Sequence, residues 1–376
     1  MNVGAAMRSN LNIALVHDWL TGMRGGEKVL EVLCELFPDA TLFTLLHNKG
    51  SVSRTIERHR IRTSFIDRLP LKSTRYRNYL PLFPAAIGSM DFSGYDLIIS
   101  TSHAVAKGAT PAPGALHICY CHTPMRYVWE LYDEYFGPGR AGILTRAAMS
   151  VIAPRLRTWD IRSSDRVHHF VANSRNVAGR IHQYYRRPAD VIYPPVSTDQ
   201  FAASENDDGY YLVVSALVPY KRVDLAIHAA KELGERLLIV GTGPETQKLK
   251  ALAGRNVEFL GWKADAELSR LYAGCRALIF PGIEDFGIVP LEAMASGKPV
   301  VAFGAGGALE TVVENSESPT GIFFKEQSVE ALTAALQKLS HVRFDPLKIR
   351  SHAMRFDRTV FKENIRRFIE EKSARL

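Results

Sequence analysis

Two carboxylates, Glu284 and Glu292, stand with seven residues between them, around Phe286-Gly287-Ile288. The apolar run Ala277 to Phe280 reads as a buried strand that Pro281-Gly282 brings to a turn, and Val289 to Ser296 continues with helical spacing. Glu284 therefore lies in a strand-to-helix loop, Glu292 lies in the first part of the helix, and Phe286, Gly287 and Ile288 lie at its mouth, where unpaired backbone N–H groups collect. Gly287 lets a ligand approach the backbone, the helix mouth suits an anion, and the carboxylates can accept hydrogen bonds from hydroxyls. A polyhydroxylated, anionic ligand fits that chemistry. The plainer alternative is a surface helix with Glu292 in solvent and Glu284 as its cap.

Other residues could act with this pair. Leu217 to Arg222 leads into the helix Val223 to Leu233, so Lys221 can add its ammonium to a helix mouth in holding a diphosphate. Near the start, Leu11 to Val16 reads as a strand, and His17-Asp18-Trp19-Leu20 lies past its carboxyl end, where open α/β sheets place ligands. Arg24-Gly25-Gly26 then forms a glycine-bearing loop into the helix Glu27 to Phe37, a pattern that many βα turns adopt for local reasons alone. The strand Leu116 to Tyr120 ends in Cys119-Tyr120-Cys121-His122. Two Cys with His117 and His122 raise zinc as a possibility, but alternation puts His117, Cys119 and Cys121 on one face and His122 on the other, and the spacing is unlike a zinc finger's. Small buried thiols are the expectation.

The elements that position these groups alternate between strand and helix from end to end, without internal repeats. A length of 376 residues favours two domains of comparable size. The double proline Pro194-Pro195 stiffens the path between them and marks the hinge. A formal charge of +8 favours anionic partners. Four scattered cysteines imply no disulfide framework and a reducing compartment. No run reaches membrane-spanning length, and Met1 to Asn10 lacks the apolar core of a signal peptide and reads as a short disordered lead. Gly241-Thr242-Gly243-Pro244 lacks the third glycine and the acidic residue of a dinucleotide fingerprint, which weakens a dehydrogenase reading.

Ser53 to Ser89 breaks the alternation with a basic arm containing Arg54, Arg58, Arg60, Arg62, Arg68, Lys72, Arg75 and Arg77, interleaved with Phe65, Tyr76, Tyr79, Leu80, Leu82 and Phe83. It reads either as the solvated face of ordinary helices or as a surface for anionic lipid headgroups or a lipid-linked diphosphate. Nucleic acid ranks last, because no nucleic-acid module accompanies the charge.

Glu284, seven residues, Glu292 and the trailing Ala-Met-Ala-Ser-Gly-Lys-Pro-Val-Val together resemble the donor-site signature of retaining glycosyltransferases of family four. The resemblance covers nearly the whole chain. It implies the α/β GT-B fold: two Rossmann-like domains facing across a cleft. Residues 1–194 would form an acceptor domain and 195–355 a nucleotide-sugar donor domain, with a last helix in 356–376 packing back on the first.

The resemblance further implies transfer of a hexose with retention. Glu284 and His122 would serve catalysis by positioning the donor sugar. Lys221, Arg222, Glu292, Phe286, Gly287, Ile288, Gly25 and Gly26 would bind the donor, with Glu292 on the ribose. Arg126 and Arg24 would meet the acceptor. Where the family often carries Gly-Arg-Leu this chain has Ser215-Ala216-Leu217, so Arg222 or Arg24 would have to supply the charge missing at Ala216. No metal or other cofactor is expected.

The stretches around His17, Arg24 and His122 are most similar to bacterial mannosyltransferases of O-antigen and exopolysaccharide assembly, which makes GDP-mannose the first donor. The expected partners are a nucleotide sugar, a glycan or polyprenyl-diphosphate-linked acceptor and an anionic membrane surface, with a cytoplasmic, peripheral location. The alternatives are a catalytically silent nucleotide-sugar or membrane-binding module and a GT-B phosphorylase or epimerase.

Overall fold

The structure is a computed structural model that describes residues 11–139, 141–314, 317–374 and 376. The lead Met1 to Asn10, expected to be disordered, lies outside the described residues. The chain divides into two compact units, one made of Met1–Pro194 with Phe361–Leu376 and the other of Pro195–Val360.

The first unit is built on seven parallel strands: β1 (Ile13–His17), β2 (Thr41–Thr44), β3 (Arg60–Thr63), β4 (Leu97–Ser102), β5 (Leu116–Cys121), β6 (His169–Ala172) and β7 (Ala189–Val191). Their order is β3-β2-β1-β4-β5-β6-β7, so the winding reverses between β1 and β4. Central strands covered on both faces read as continuous apolar runs, as Leu97-Ile98-Ile99 does. On β5 alternation separates two cores. Ile118 and Tyr120 pack with Phe361, Ile365 and Phe368 of the last helix, Arg358–Ser373. Cys119 and Cys121 pack with Phe170, Val177 and Tyr185.

The basic arm differs from its sequence reading in two respects. Arg60–Thr63 is not part of a helical face but the edge strand β3, paired in register with β2 from Thr41↔Arg60 to Thr44↔Thr63. Its exposed cations suit an edge that must not pair with another chain. In addition, Tyr76, Leu80 and Phe83 are buried in the core beside Trp19 and Ile87. Phe65, Leu71 and Leu82 are the arm's exposed large apolar side chains.

The second unit carries six parallel strands: β8 (Tyr210–Val214), β9 (Arg236–Val240), β10 (Val257–Gly261), β11 (Ala277–Phe280), β12 (Val300–Phe303) and β13 (Gly321–Phe324). They are ordered β10-β9-β8-β11-β12-β13, and the reversal falls between β8 and β11. One face is covered by helices Val223–Leu233 and Val329–Leu339, whose Ile227, Ala230, Leu332 and Leu336 pack on Val213, Ile239 and Ile279. Among the described residues no helix is long and apolar enough to cross a membrane.

Candidate functional site

In the second unit, Lys221 closes the short 3-10 turn Pro219–Lys221 after β8, and Glu284 lies in the loop after β11. β8 and β11 are neighbours at the strand-order reversal, so the two loops open onto the place where doubly wound sheets bind ligands. The Lys221 ammonium and the Glu284 carboxylate form an ion pair there, with both side chains mostly buried.

Glycines allow this approach. A Cβ on Gly282 would lie 2.8 Å from the Lys221 Cα, so only glycine lets the two loops touch here. Gly306, with a φ of +62°, and Gly307 lie so tightly on Glu284 and Phe286 that a Cβ on either would overlap their backbone. The Gly307 N–H donates to the Glu284 carbonyl at 2.9 Å. The pair thus braces the Glu284 loop.

Helix Ile288–Ala295 starts from Gly287, whose φ of +92° lies in the left-handed region. Ile288 is half-exposed, while Phe286 is buried and packs on Phe356 at 5.8 Å between ring centroids. Glu292 is not in solvent, which removes the plain surface-helix alternative: it is buried and accepts a hydrogen bond from the Tyr272 hydroxyl at 3.0 Å. Burial first, and then the Glu292 carboxylate, push the Tyr272 phenol well above its ordinary range, so the hydroxyl stays a donor. Arg222 occupies a left-handed position at the start of helix Val223–Leu233, and its guanidinium pairs with Asp224 at 3.1 Å. Ala216 lies in a tight loop: a Cβ on Gly241 or Gly243 would overlap the carbonyls of Ser215 or Leu217.

In the first unit, His17, His103 and His122 gather at the carboxyl ends of β1, β4 and β5, the rings of His103 lying 6.3 Å from those of both His17 and His122. Gly26 belongs to the first turn of helix Gly25–Leu36, and a Cβ there would face His122 Nε2 and His17 Cε1, each at 3.5 Å. His122 Nε2 is fully buried and has no hydrogen-bond partner among the described residues. Desolvation, followed by His103 and His17, holds its pKa well below the ordinary imidazole range, so the ring is neutral. Arg126 is half-buried just beyond His122, and Arg24 is exposed at the head of helix Gly25–Leu36.

The sequence placed His17 and Asp18 past the end of β1, but gave no sign of what Asp18, Glu27 and His17 hold. The Asp18 carboxylate, fully buried, accepts four backbone N–H bonds of 2.7 to 2.9 Å from His103, Ala104, Val105 and Ala106 and meets His103 Nδ1 at 3.1 Å. It thereby clamps the loop after β4. His17 Nδ1 bonds the Thr101 hydroxyl at 2.5 Å. Glu27 lies 3.7 Å from His17 Nε2 and accepts from the Arg24 N–H at 3.1 Å, pinning the glycine loop above the imidazoles. The zinc possibility meets a specific obstacle in His117, whose Nε2 bonds Ser100 at 2.8 Å and whose Nδ1 bonds the Arg166 carbonyl at 3.1 Å. Burial also pushes the Cys119 thiol up to about 12. Among the described residues no cluster of three His, Cys, Asp or Glu could hold a metal ion.

The family model described as Glycosyltransferase Family 4 matches residues 24–200, and that described as Glycosyl transferases group 1 matches residues 197–355. The chain belongs to glycosyltransferase family 4. Its fold is GT-B.

A GDP-mannose-dependent alpha-(1-6)-phosphatidylinositol monomannoside mannosyltransferase of Mycobacterium tuberculosis is 34% identical over 180 residues, which cover 40% of this chain and 46% of that protein. The first curated relatives are matched over less than half of their own length, at 44%, 22% and 46%. Among solved structures, the lipopolysaccharide outer core galactosyltransferase WaaB superposes with a TM-score of 0.68 at 16% identity, covering 96% of this chain and all of that one. Anabaena HepE in complex with UDP and glucose gives 0.69 at 19% identity, covering 96% and 99%. At such identities the likeness is one of fold.

Proposed function

We infer that this family 4 glycosyltransferase moves a hexose, with mannose from GDP-mannose as first choice, to a hydroxyl of a glycan or lipid-linked acceptor with retention at the anomeric carbon. The observation that carries this reading is the Lys221–Glu284 pair at the strand-order reversal of the second unit, beside the N-terminus of helix Ile288–Ala295. Lys221 and the backbone N–H groups there would balance the charge that develops on the leaving diphosphate. Glu284, released from Lys221 as the diphosphate takes its place, would orient the sugar hydroxyls. Glu292 would accept from the ribose while Tyr272 holds its other side.

His122, neutral and with an unsatisfied Nε2, would hydrogen-bond the donor sugar from the first unit, and Arg24 and Arg126 would meet the acceptor. The paired Arg222 is the weaker choice for replacing the charge missing at Ala216. This scheme assigns no step to a metal, and activity is expected to survive chelators. Preference for GDP-mannose is supported by the mycobacterial relative, while the UDP complex of a structural neighbour makes UDP-glucose the donor to test beside it. The exposed arginines of the arm support a peripheral position on the cytoplasmic membrane face.

The deciding experiment is a thermal-shift titration with GDP-mannose, UDP-glucose, UDP-galactose and the free nucleotides. A donor that stabilises the protein in proportion to its affinity, followed by an α-linked product from an α-linked donor, is the expected result. Stabilisation without turnover on any acceptor would favour the silent binding module, and phosphate-dependent sugar release would favour a phosphorylase.

A further inference from the structure

A second concavity lies in the first unit, where the edge of the sheet meets the arm. It has a volume of about 310 Å³ and is lined by Phe43, Arg62, Phe65, Arg68, Ser89 and Asp91 among others. That is at the small end of the range for ligand sites, ~300 Å³. It opens at the carboxyl ends of β2 and β3, the same end of the sheet as His17 and His122. β2 and β5 are three strand spacings apart, so the cavity lies on the order of 14 Å from His122 along the sheet.

Its chemistry is unusual for an ordinary surface dimple. The Arg62 guanidinium lies over the Phe43 ring, 5.7 Å from its centroid. Among the described residues neither Arg62 nor Arg68 forms an ion pair or a side-chain hydrogen bond, in contrast to Lys72, which pairs with Asp67 at 2.5 Å. Two guanidiniums border one concavity, and an oxyanion would match their paired N–H groups. Asp91 is the carboxylate in the lining. It accepts from the Ser93 N–H at 2.9 Å, and the Ser93 bonds, followed by Arg62, lower its pKa, so it remains an acceptor.

The wall thus combines paired donors for an oxyanion, an acceptor, the hydroxyls of Thr63 and Ser89, and the apolar surface of the half-exposed Phe65 ring. A bare phosphate has no use for the acceptor and the ring, and a lipid phosphodiester offers no ring to lie against Phe65. A sugar acid uses them all.

We propose that this cavity is a subsite for one acidic sugar residue of the acceptor, with its carboxylate or phosphate between Arg62 and Arg68 and its ring against Phe65. The inference rests on the reading of the first unit as the acceptor domain and narrows the acceptor to an anionic glycan.

Saturation-transfer NMR on the full chain tests it with methyl α-D-glucuronide as probe and methyl α-D-glucoside as its neutral counterpart. The wild-type protein is expected to transfer saturation to the glucuronide ring protons far better than to the glucoside. The Arg62→Ala/Arg68→Ala variant should weaken glucuronide binding by about tenfold or more through loss of charged hydrogen bonds. The thermal shift given by GDP-mannose should be the same in both proteins. Equal signals from the two sugars, or an unchanged glucuronide signal in the variant, would overturn the proposal. So would loss of binding to phosphatidylglycerol-containing vesicles in the variant with its glucuronide signal intact, which would give the cavity to a lipid surface. Absence of a GDP-mannose shift in both proteins would count against the donor reading alone, because the glucuronide measurement involves no transfer.

Discussion

The Lys221 ammonium rests on the Glu284 carboxylate, the two side chains rising from the loops after β8 and β11 where the strand order reverses. In the proposed scheme the pair holds both charges ready: the cation for a diphosphate, the anion for sugar hydroxyls. Glu284→Gln keeps the shape and removes the charge. Turnover should fall on the order of a hundredfold, the scale of losing one preorganised electrostatic group, with the melting temperature nearly unchanged. Parallel loss of rate and stability would make the pair structural.

Tyr272 offers an indirect test of Glu292, because its hydroxyl bonds that carboxylate. Tyr272→Phe removes one neutral-to-charged hydrogen bond from a buried carboxylate. Donor affinity should weaken by up to roughly tenfold, and Glu292→Gln by about tenfold to a hundredfold, with little change in turnover at saturating donor. Wild-type titration curves for Glu292→Gln would remove that residue from the donor site.

His122 should leave no trace in the pH–rate profile near the ordinary imidazole pKa. Its folded pKa is depressed, so the ring is already neutral at pH 8 and stays neutral as pH falls through the ordinary value of about 6.5. A rate limb near that pH in the wild type that vanishes in His122→Gln would contradict the assignment. His122→Ala should lower turnover while leaving the melting temperature nearly intact; a buried, purely structural histidine would give the reverse.

Stability should depend on pH through His117, whose pKa burial lowers to about 3. The unfolded chain takes up a proton there below about 6.5 while the folded chain does not, so the unfolded state binds more protons and stability is lost as pH falls between those values. The loss from this group is on the order of 1.4 kcal/mol per pH unit within that window. Urea unfolding of wild type and His117→Gln between pH 7 and 5 checks it: the variant starts less stable and has a shallower slope.

Membrane attachment through the arm should be electrostatic more than insertive, because Tyr76, Leu80 and Phe83 are committed to the core. Each cation near an anionic surface contributes about 1 kcal/mol, screened by salt. Co-sedimentation should therefore require phosphatidylglycerol, decline with added salt and weaken in Arg75→Glu/Arg77→Glu. Equal partition onto neutral vesicles would leave the arm as a solvated face.

The sequence by itself determined the alternation of apolar runs and helices that makes two parallel sheets, since strands covered on both faces have to be apolar throughout. It also determined the family, because Glu284, Glu292 and the Gly-Lys-Pro that follows are contiguous in one strand-loop-helix unit. Tertiary structure decided what depends on strand order. Lys221 meets Glu284 only because β8 and β11 are neighbours, a pairing no local pattern encodes. Arg60–Thr63 becomes a strand only because β2 offers it a hydrogen-bonding edge, overriding a composition that reads as a solvated face. Asp18 becomes a clamp only when the loop after β4 turns four N–H groups toward it. The same arrangement leaves Arg62 and Arg68 around one cavity without an ion pair among the described residues, because charge in a sequence says how many cations a segment carries, and folding alone decides which of them are neutralised.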